Sequence, residues 1–345
     1  MKNLLVAVLA LSASMCSSCA HERPVVRDVI GVMFYNAENL FDTIDNPLKD
    51  DDEFTPGGLR HWTDFRYREK LNKVSRTVVA VRPDDSPALV GLCEVENDTV
   101  LFDLTRRSLL KSVGYDYVVT SSPDMRGINV ALLYKRCDFS LVCCESLPVD
   151  VSTAGGSATR DILHVTGRVV SGDTVDVYVC HWPSRIGGVK ESEPKRRIAA
   201  SVARASITDV FRKRLHPYVI LMGDLNEGPD EPAVRDILGA RNTSECGVLP
   251  DTSLVALMDC LKEGSYRYDG IWECYDQIIV SASMLNGSGG IGLVNLRVAD
   301  FDFLLEEDKK YGGEKPFRTY NGYRWQNGYS DHLPVAAELC LGQEW

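Results

Sequence analysis

Tyr218-Val219-Ile220-Leu221-Met222-Gly223-Asp224-Leu225-Asn226 is a five-residue apolar run that ends on a glycine, a carboxylate and a carboxamide. Ala88-Leu89-Val90-Gly91-Leu92-Cys93-Glu94 repeats the arrangement, an apolar run closed by an acid. Short apolar runs bounded by turn-forming residues read as buried strands. Both therefore carry a polar group where a strand meets solvent. A strand end is a rigid platform, and side chains delivered there can be held in fixed geometry. Ser330-Asp331-His332 stands in a comparable place, just ahead of the apolar run Val335–Leu341.

Working outward, residues 29–35 read as a first strand ending at Asn36, followed by a Gly/Pro/Asp-rich loop over 46–58. Residues 64–81 show helical spacing that stops before Pro83, 88–93 form a strand, and 99–112 form a helix. Strands dense in β-branched and aromatic residues follow over 115–120, 129–135, 162–170 and 174–180. Ser171-Gly172-Asp173 joins the last two as a hairpin turn. An Arg-rich helix over 191–215 precedes strands at 218–222, 277–281 and 335–341. Helices alternate with strands in places while hairpins occur elsewhere. The mixture predicts mixed sheets covered by helices, a layered α/β sandwich rather than a parallel wound sheet. Residues 286–329 read as the loosest segment, a long loop bordering the site.

The chain has 345 residues, 44% hydrophobic and 25% charged, with a formal net charge of −11. That balance exerts no global pull on nucleic acid and leans toward a small phosphodiester or a lipid headgroup. Lys2 followed by the apolar run 4–11 reads as an export signal, too short to span a bilayer. Ser17-Ser18-Cys19 resembles a bacterial lipobox, although Cys16 stands where leucine is usual. Residues 1–19 are thus read as a lipoprotein-type signal with Cys19 lipidated, and 20–28 as a short linker. Residues 29–345 are read as a single catalytic domain. The expectation is an exported, monomeric protein of the bacterial periplasm or cell envelope, tethered to the membrane; plain secretion is the alternative. Of the eleven cysteines two belong to the signal, and the remaining nine show no paired CxxC spacing, so zinc is not expected. Cys93, Cys180 and Cys340 lie inside apolar runs and read as small buried hydrophobes.

The strand-end groups suit metal-assisted attack of water on a phosphate ester. Glu94 and Asn36 are hard oxygen donors suited to Mg²⁺ or Mn²⁺. Alone, Asn36 would read as a turn-former and Glu94 as a helix-start acid. Asp224 and Asn226 alternate along a strand end and can face one cleft. Asp331 precedes His332, but neighbours on a strand point oppositely, so the acid orienting His332 could instead be Asp276. His181 also ends a strand, and with Arg126 and Arg185 it is a candidate phosphate contact. No Gly-x-Ser-x-Gly elbow supports a serine hydrolase.

Seven blocks in order resemble the endonuclease/exonuclease/phosphatase superfamily: Phe34 to Asp42, Gly91 to Asn97, Asp124 to Tyr134, His181-Trp182-Pro183-Ser184-Arg185, Gly223 to Asn226, Tyr275-Asp276-Gln277-Ile278 and Ser330-Asp331-His332. The resemblance implies a four-layer α-β-β-α sandwich, two packed mixed sheets flanked by helices. It implies Asn36 and Glu94 as metal ligands with Asp331 near the metal. Asp224 would activate water, Asn226 would bind the phosphate, His332 would contact phosphate or move a proton, and Asp276 would orient it. His181 would face the phosphate. Asn129 departs from the pattern, where an acid would follow Arg-Gly-Ile, and stays outside the catalytic set. The reaction implied is divalent-metal-dependent phosphodiester hydrolysis of an endonuclease-like kind. Sphingomyelinase-type or inositol-phosphate activity, or an inactive binding protein of the same fold, are the alternatives.

Two segments bear on substrate. Lys195-Arg196-Arg197, Arg204 and Arg212-Lys213-Arg214 read as a solvated helix face. Arg318, Tyr320, Tyr323, Arg324, Trp325 and Tyr329 could stack on nucleic-acid bases or simply pack a long loop.

Overall fold

A computed structural model describes residues 29–245, 249–261, 264–286 and 290–342. The expected signal, Cys19 and the linker to residue 28 lie outside them. Among the described residues no helix is long and apolar enough to cross a membrane.

Two mixed sheets form the body of the protein. The first has six strands in the order Ile291–Val298, Val335–Leu341, Val29–Leu40, Leu89–Val95, Asn129–Lys135 and Tyr115–Val119. The second has seven, in the order Phe139–Leu147, Ile162–Val169, Thr174–His181, Tyr218–Asp224, Asp276–Ser281, Leu254–Ala256 and Ala240–Asn242. Their inner faces share one core, in which Phe34, Leu132 and Val335 of the first sheet meet Val177, Ile220, Met222 and Ile278 of the second. Helices α1 (Asp64–Val81) and α2 (Asp98–Arg107) cover the outer face of the first sheet. Helix α3 (Val189–Lys213) covers the second. This is the expected four-layer sandwich.

Each sheet contains one parallel pair of long strands, and the second sheet also pairs Ala240–Asn242 parallel to Leu254–Ala256 at its edge. Val29–Leu40 runs parallel to Leu89–Val95, and Thr174–His181 runs parallel to Tyr218–Asp224. Parallel neighbours need a long crossover, which α1 and α3 supply. Both pairs therefore bring two strand C-termini to one end of the sandwich. Gly91 is needed for the close approach of the sheets: a Cβ there would lie 2.6 Å from Met222 Sδ and 3.2 Å from Phe34 Cδ2. The turn at Ser171-Gly172-Asp173 is the expected hairpin, with Gly172 at φ +91.

Four expectations need correction. The helix over 99–112 ends at Arg107, because the Ser108 hydroxyl captures the Leu110 N–H at 3.1 Å and starts a separate 3-10 turn. Residues 286–329 are not one loop. Ile291–Val298 pairs with the last strand, and two small hairpins follow, Leu305–Glu307 with Glu314–Pro316 and Tyr320–Asn321 with Arg324–Trp325. The strand Phe139–Leu147 escapes the sequence pattern because it is the sheet's edge, exposed on both faces from Ser140 to Ser146. Finally, the α3 basic residues are not all solvated. Arg196 is fully buried, paired with Glu227 at 2.8 Å and bonded to Ser192 Oγ and the Val189 carbonyl. Cys93, Cys180 and Cys340 are buried, and no disulfide joins them.

Asp176, on the strand Thr174–His181, makes a testable contribution to stability. It accepts from Thr166 Oγ1 at 2.5 Å and from Arg214 at 2.9 and 3.2 Å, and it lies 3.0 Å from His164 Nε2. Burial works against its charge, yet these partners outweigh burial and hold the carboxyl down at about 2. A depressed carboxyl contributes stability above its unfolded value near 4 and loses it as pH falls toward 2. Asp176→Asn should therefore flatten acid unfolding across that window by roughly 2 kcal/mol, read from denaturant midpoints at pH 5 and pH 2.5. Identical acid profiles in the two proteins would remove this account.

Candidate active site

The ends of the two parallel pairs meet at Asp224. Its register partners are His181 on one neighbouring strand and Asp276 on the other. Asn36 reaches it from the opposite sheet, donating Nδ2 to Asp224 Oδ2 at 3.1 Å. His181 Nε2 and His332 Nε2 each stand 3.7 Å from that same oxygen, too long for a hydrogen bond. Three groups from three strand ends thus face one buried carboxylate.

Local backbone irregularity aims these side chains. The pairing of Val29–Leu40 with Leu89–Val95 slips between Asn36 and Leu40, where Glu38 and Asn39 adopt φ of +47 and +55. The pairing of Leu89–Val95 with Asn129–Lys135 slips between Cys93 and Val95, and Glu94 between them has φ +57. Bulges of this kind re-aim side chains beside active sites. Asn226, at φ +50, folds back so that its N–H bonds Asp224 Oδ1 at 3.0 Å, while its Nδ2 donates to the Trp182 carbonyl at 3.2 Å.

The two imidazoles are in opposite states. His332 Nδ1 lies 2.8 Å from Asp276 Oδ2, which also accepts from Ser265 Oγ at 2.5 Å. Asp276 rather than Asp331 is thus the acid that holds His332. Burial resists the charge of His332, but Asp276 and then Asp224 outweigh it and raise the ring to about 10. His181 is pushed well below the usual value, by burial first and then by Arg160, Arg126 and His332. Its Nδ1 is buried without a hydrogen-bond partner. Burial also lifts Asp224 to about 7, with His332 pulling it down and Asp276 pushing it up. Environments that push neighbouring pKa values apart mark acid and base partners.

Asp331 turns elsewhere. Its Oδ2 accepts from Arg318 at 3.0 Å, and the same guanidinium reaches Glu38 Oε1 at 3.4 Å. Glu94 Oε2 accepts from the Asn39 N–H at 2.9 Å and from Arg126 at 3.4 Å. Its Oε1 makes no hydrogen bond to a described residue and lies 4.0 Å from His181 Nε2. Glu94 and, more weakly, Asp331 support the charge of Arg126. Arg185 bonds the Asn226 carbonyl at 2.7 Å, pairs with Glu231 and lies 4.4 Å over the Tyr275 ring. It is held against the site's wall.

Asp224, Asp276 and His332 offer ligand atoms within 4.8 Å of one another, a buried acidic and imidazole cluster. His332 already spends Nδ1 on Asp276, so this cluster reads as an oriented acid–imidazole set. Asn129 is structural: Nδ2 donates to the Glu96 carbonyl at 2.7 Å and Oδ1 accepts from Ser122 N at 2.7 Å.

Sequence reasoning missed Tyr266, Glu38, Arg160 and Lys70. Tyr266 stacks on His332 with centroids 4.6 Å apart. Arg160 is buried, and binds Asp124 at 3.2 Å and the His181 and Trp182 carbonyls. Lys70 is 2% exposed within α1. A helical stripe was available to read, since Arg66, Lys70, Lys73 and Arg76 recur at spacings of four, three and three.

Several solved structures share this fold. A Bacteroides thetaiotaomicron endonuclease/exonuclease/phosphatase family protein aligns over 90% of this chain and 97% of its own, at 16% identity and TM-score 0.57. The human Nocturnin catalytic domain with a bound sulfate anion aligns over 92% and 96%, at 16% identity and TM-score 0.54. A Bacteroides thetaiotaomicron mannosyl-6-phosphatase aligns over 90% and 99%, at 17% identity and TM-score 0.55. No curated protein matches the chain in sequence. A family model matches residues 31–340, which take in both sheets and every strand end at the cleft, and the chain belongs to the Endonuclease/Exonuclease/phosphatase family.

Proposed function

We propose that this chain is a divalent-cation-dependent hydrolase of phosphodiester bonds, in which Asp224 activates the attacking water. One observation carries the reading: a buried carboxylate is contacted by a carboxamide and flanked by one cationic and one neutral imidazole. Asp224, raised to about 7 by burial, has the basicity to take a proton from water near neutral pH. His332, a donor held by Asp276, faces the same space and can stabilise negative charge on phosphate. His181 and Asn226 line the other side as neutral contacts, with Arg126 as a cation at the mouth.

The donor set fits a hard cation. Glu94 Oε1 and Asp331 Oδ1 are carboxylate oxygens with no hydrogen bond to a described residue, and Asn36 adds a carboxamide oxygen that accepts one bond, from the Glu38 N–H at 2.9 Å, and keeps a second lone pair. Glu94, Asp331 and Asn36 would hold Mg²⁺ or Mn²⁺, which would neutralise phosphate charge when bound.

A lipid on Cys19 would tether the chain ahead of the first strand, which starts at Val29. Nucleic acids, sphingomyelin and inositol phosphates are the competing substrates.

Hydrolysis should be read with Mg²⁺ on an aryl phosphodiester, single- and double-stranded DNA, sphingomyelin and inositol phosphates. Cleavage in that panel should stop on chelation and in Glu94→Ala. Failure of every substrate with every divalent ion would leave a binding protein of the same fold. Asp224→Asn and His332→Ala should each lower kcat by roughly 10²–10⁴-fold while staying folded. Unchanged turnover in Asp224→Asn would remove it as base.

The pH profile is a separate check. Removing Asp276's charge takes away the largest support for the His332 imidazolium. Asp276→Asn should therefore move the alkaline limb of kcat/KM from about 10 toward neutrality. An unmoved limb would assign it to another group.

A further inference from the structure

Helix α1 packs on the outer face of the first sheet, and Lys70 lies on its buried side with Tyr67, Leu71, Val74 and Val78. A desolvated ammonium is costly unless every donor finds an acceptor. Lys70 Nζ donates to Thr319 Oγ1 at 2.6 Å and to the Tyr329 carbonyl. Burial lowers its basicity, and the largest electrostatic support against that comes from Glu38 and then Asp331. Thr319 and Tyr329 are the two ends of the small hairpin that leads into Ser330-Asp331-His332. Thr319 N–H, in turn, donates to Glu38 Oε2 at 2.6 Å, two residues beyond Asn36. Arg318 bridges Glu38 to Asp331, and Ser330 Oγ donates to the Asn36 carbonyl at 2.7 Å. The hydroxyl of Ser330 also receives the His332 N–H at 3.1 Å.

We propose that Lys70 is a positioning residue of the hydrolytic site, clamping both ends of the 319–329 hairpin so that Asn36, Asp331 and His332 keep their places. The inference rests on the hydrolase reading above. Lys70 touches neither water nor phosphate in this account; it acts through Thr319, Tyr329 and Glu38. The rest of the α1 stripe supports the same hairpin from further out. Arg66 reaches Tyr320 Oη at 3.4 Å, Arg76 reaches Tyr329 Oη at 3.0 Å, and Lys73 contacts Asn327. Lys70 is the buried one of the four, and the charge of Glu38 supports it. The clamp therefore couples the helix layer to both sides of the cleft.

The test compares Lys70→Met, Lys70→Arg and Thr319→Val in the full chain by thermal unfolding, steady-state kinetics on an aryl phosphodiester, and imidazole NMR. Lys70→Met should lower kcat about tenfold or more, the scale expected for catalytic groups displaced by a fraction of an ångström, with KM nearly unchanged. Lys70→Arg should recover part of that loss, and Thr319→Val should fall between. The His332 imidazole resonances should shift in Lys70→Met while those of His164, bonded to Glu145 and Asp176 on the other sheet, stay in place. A folded Lys70→Met with wild-type kcat and an unmoved His332 signal would overturn the proposal. If Lys70→Met does not fold, Thr319→Val decides by the same two readouts. An inactive wild type would count against the hydrolase reading, while the His332 shift would still decide the role of Lys70.

Discussion

The carboxylate of Asp224 is the point on which both sheets close. It ends a central strand of the second sheet, is 3% exposed, and is bonded across the sandwich by Asn36 of the first. A buried carboxylate without partners would pay several kcal/mol in lost hydration. Here the carboxamide, the Asn226 N–H and the His332 imidazolium replace water, and none of them takes the charge away entirely. The residual strain shows as a carboxyl lifted into the neutral range. Burial lifts Glu38 to about 7 and Glu96 to about 8 as well, so Asp224 is set apart by the Asn36, His181 and His332 side chains that face it rather than by its raised carboxyl alone.

That burial is possible only because the chain brings strand C-termini together twice. The crossovers through α1 and α3 put Asn36 beside Glu94 and His181 beside Asp224, and the antiparallel partners then deliver Asp276 and His332 to the same end. The close contact of Gly91 with Met222 sets how near the two ends lie. A larger residue at 91 would separate the sheets and lengthen the Asn36–Asp224 contact, so a packing requirement in the core fixes a distance in the cleft.

Most of this was legible in the sequence because the determinants are local. Apolar runs ending on acid, amide or imidazole identified the strand ends, and the helix bounds of α1 fell on Asp64 and Val81. The choice between Asp331 and Asp276 as partner of His332 could be framed from strand alternation, but deciding it required the register of two non-adjacent strands. What was illegible depended on tertiary context. Phe139–Leu147 is an edge strand exposed on both faces and carries no period-two signal. Arg196 and Lys70 look like surface cations of amphipathic helices, and only the acceptors at Glu227, Thr319 and Tyr329 explain their burial.

The aromatic residues after 317 illustrate how far composition can mislead about substrate. Tyr320 and Tyr329 are buried, Trp325 lies against Phe65 and under Arg66, and Arg60 sits between the rings of Phe54, Tyr320 and Tyr323. Most of these rings hold the hairpin to α1 and the 53–62 loop, while Tyr323 keeps 59% of its surface exposed. Of that segment, Arg318 alone reaches the cleft, and its charge is engaged by Asp331 and Glu38. Arg126 is likewise engaged by Glu94. The guanidiniums at the cleft are therefore already paired, in a chain of net charge −11. In the reading proposed above the two facts are linked. The carboxylates that would turn to a cation, Glu94 and Asp331, are the same ones that occupy Arg126 and Arg318. Turning Glu94 to a cation would loosen Arg126 toward phosphate, whereas Arg318 would still keep Glu38 as its partner.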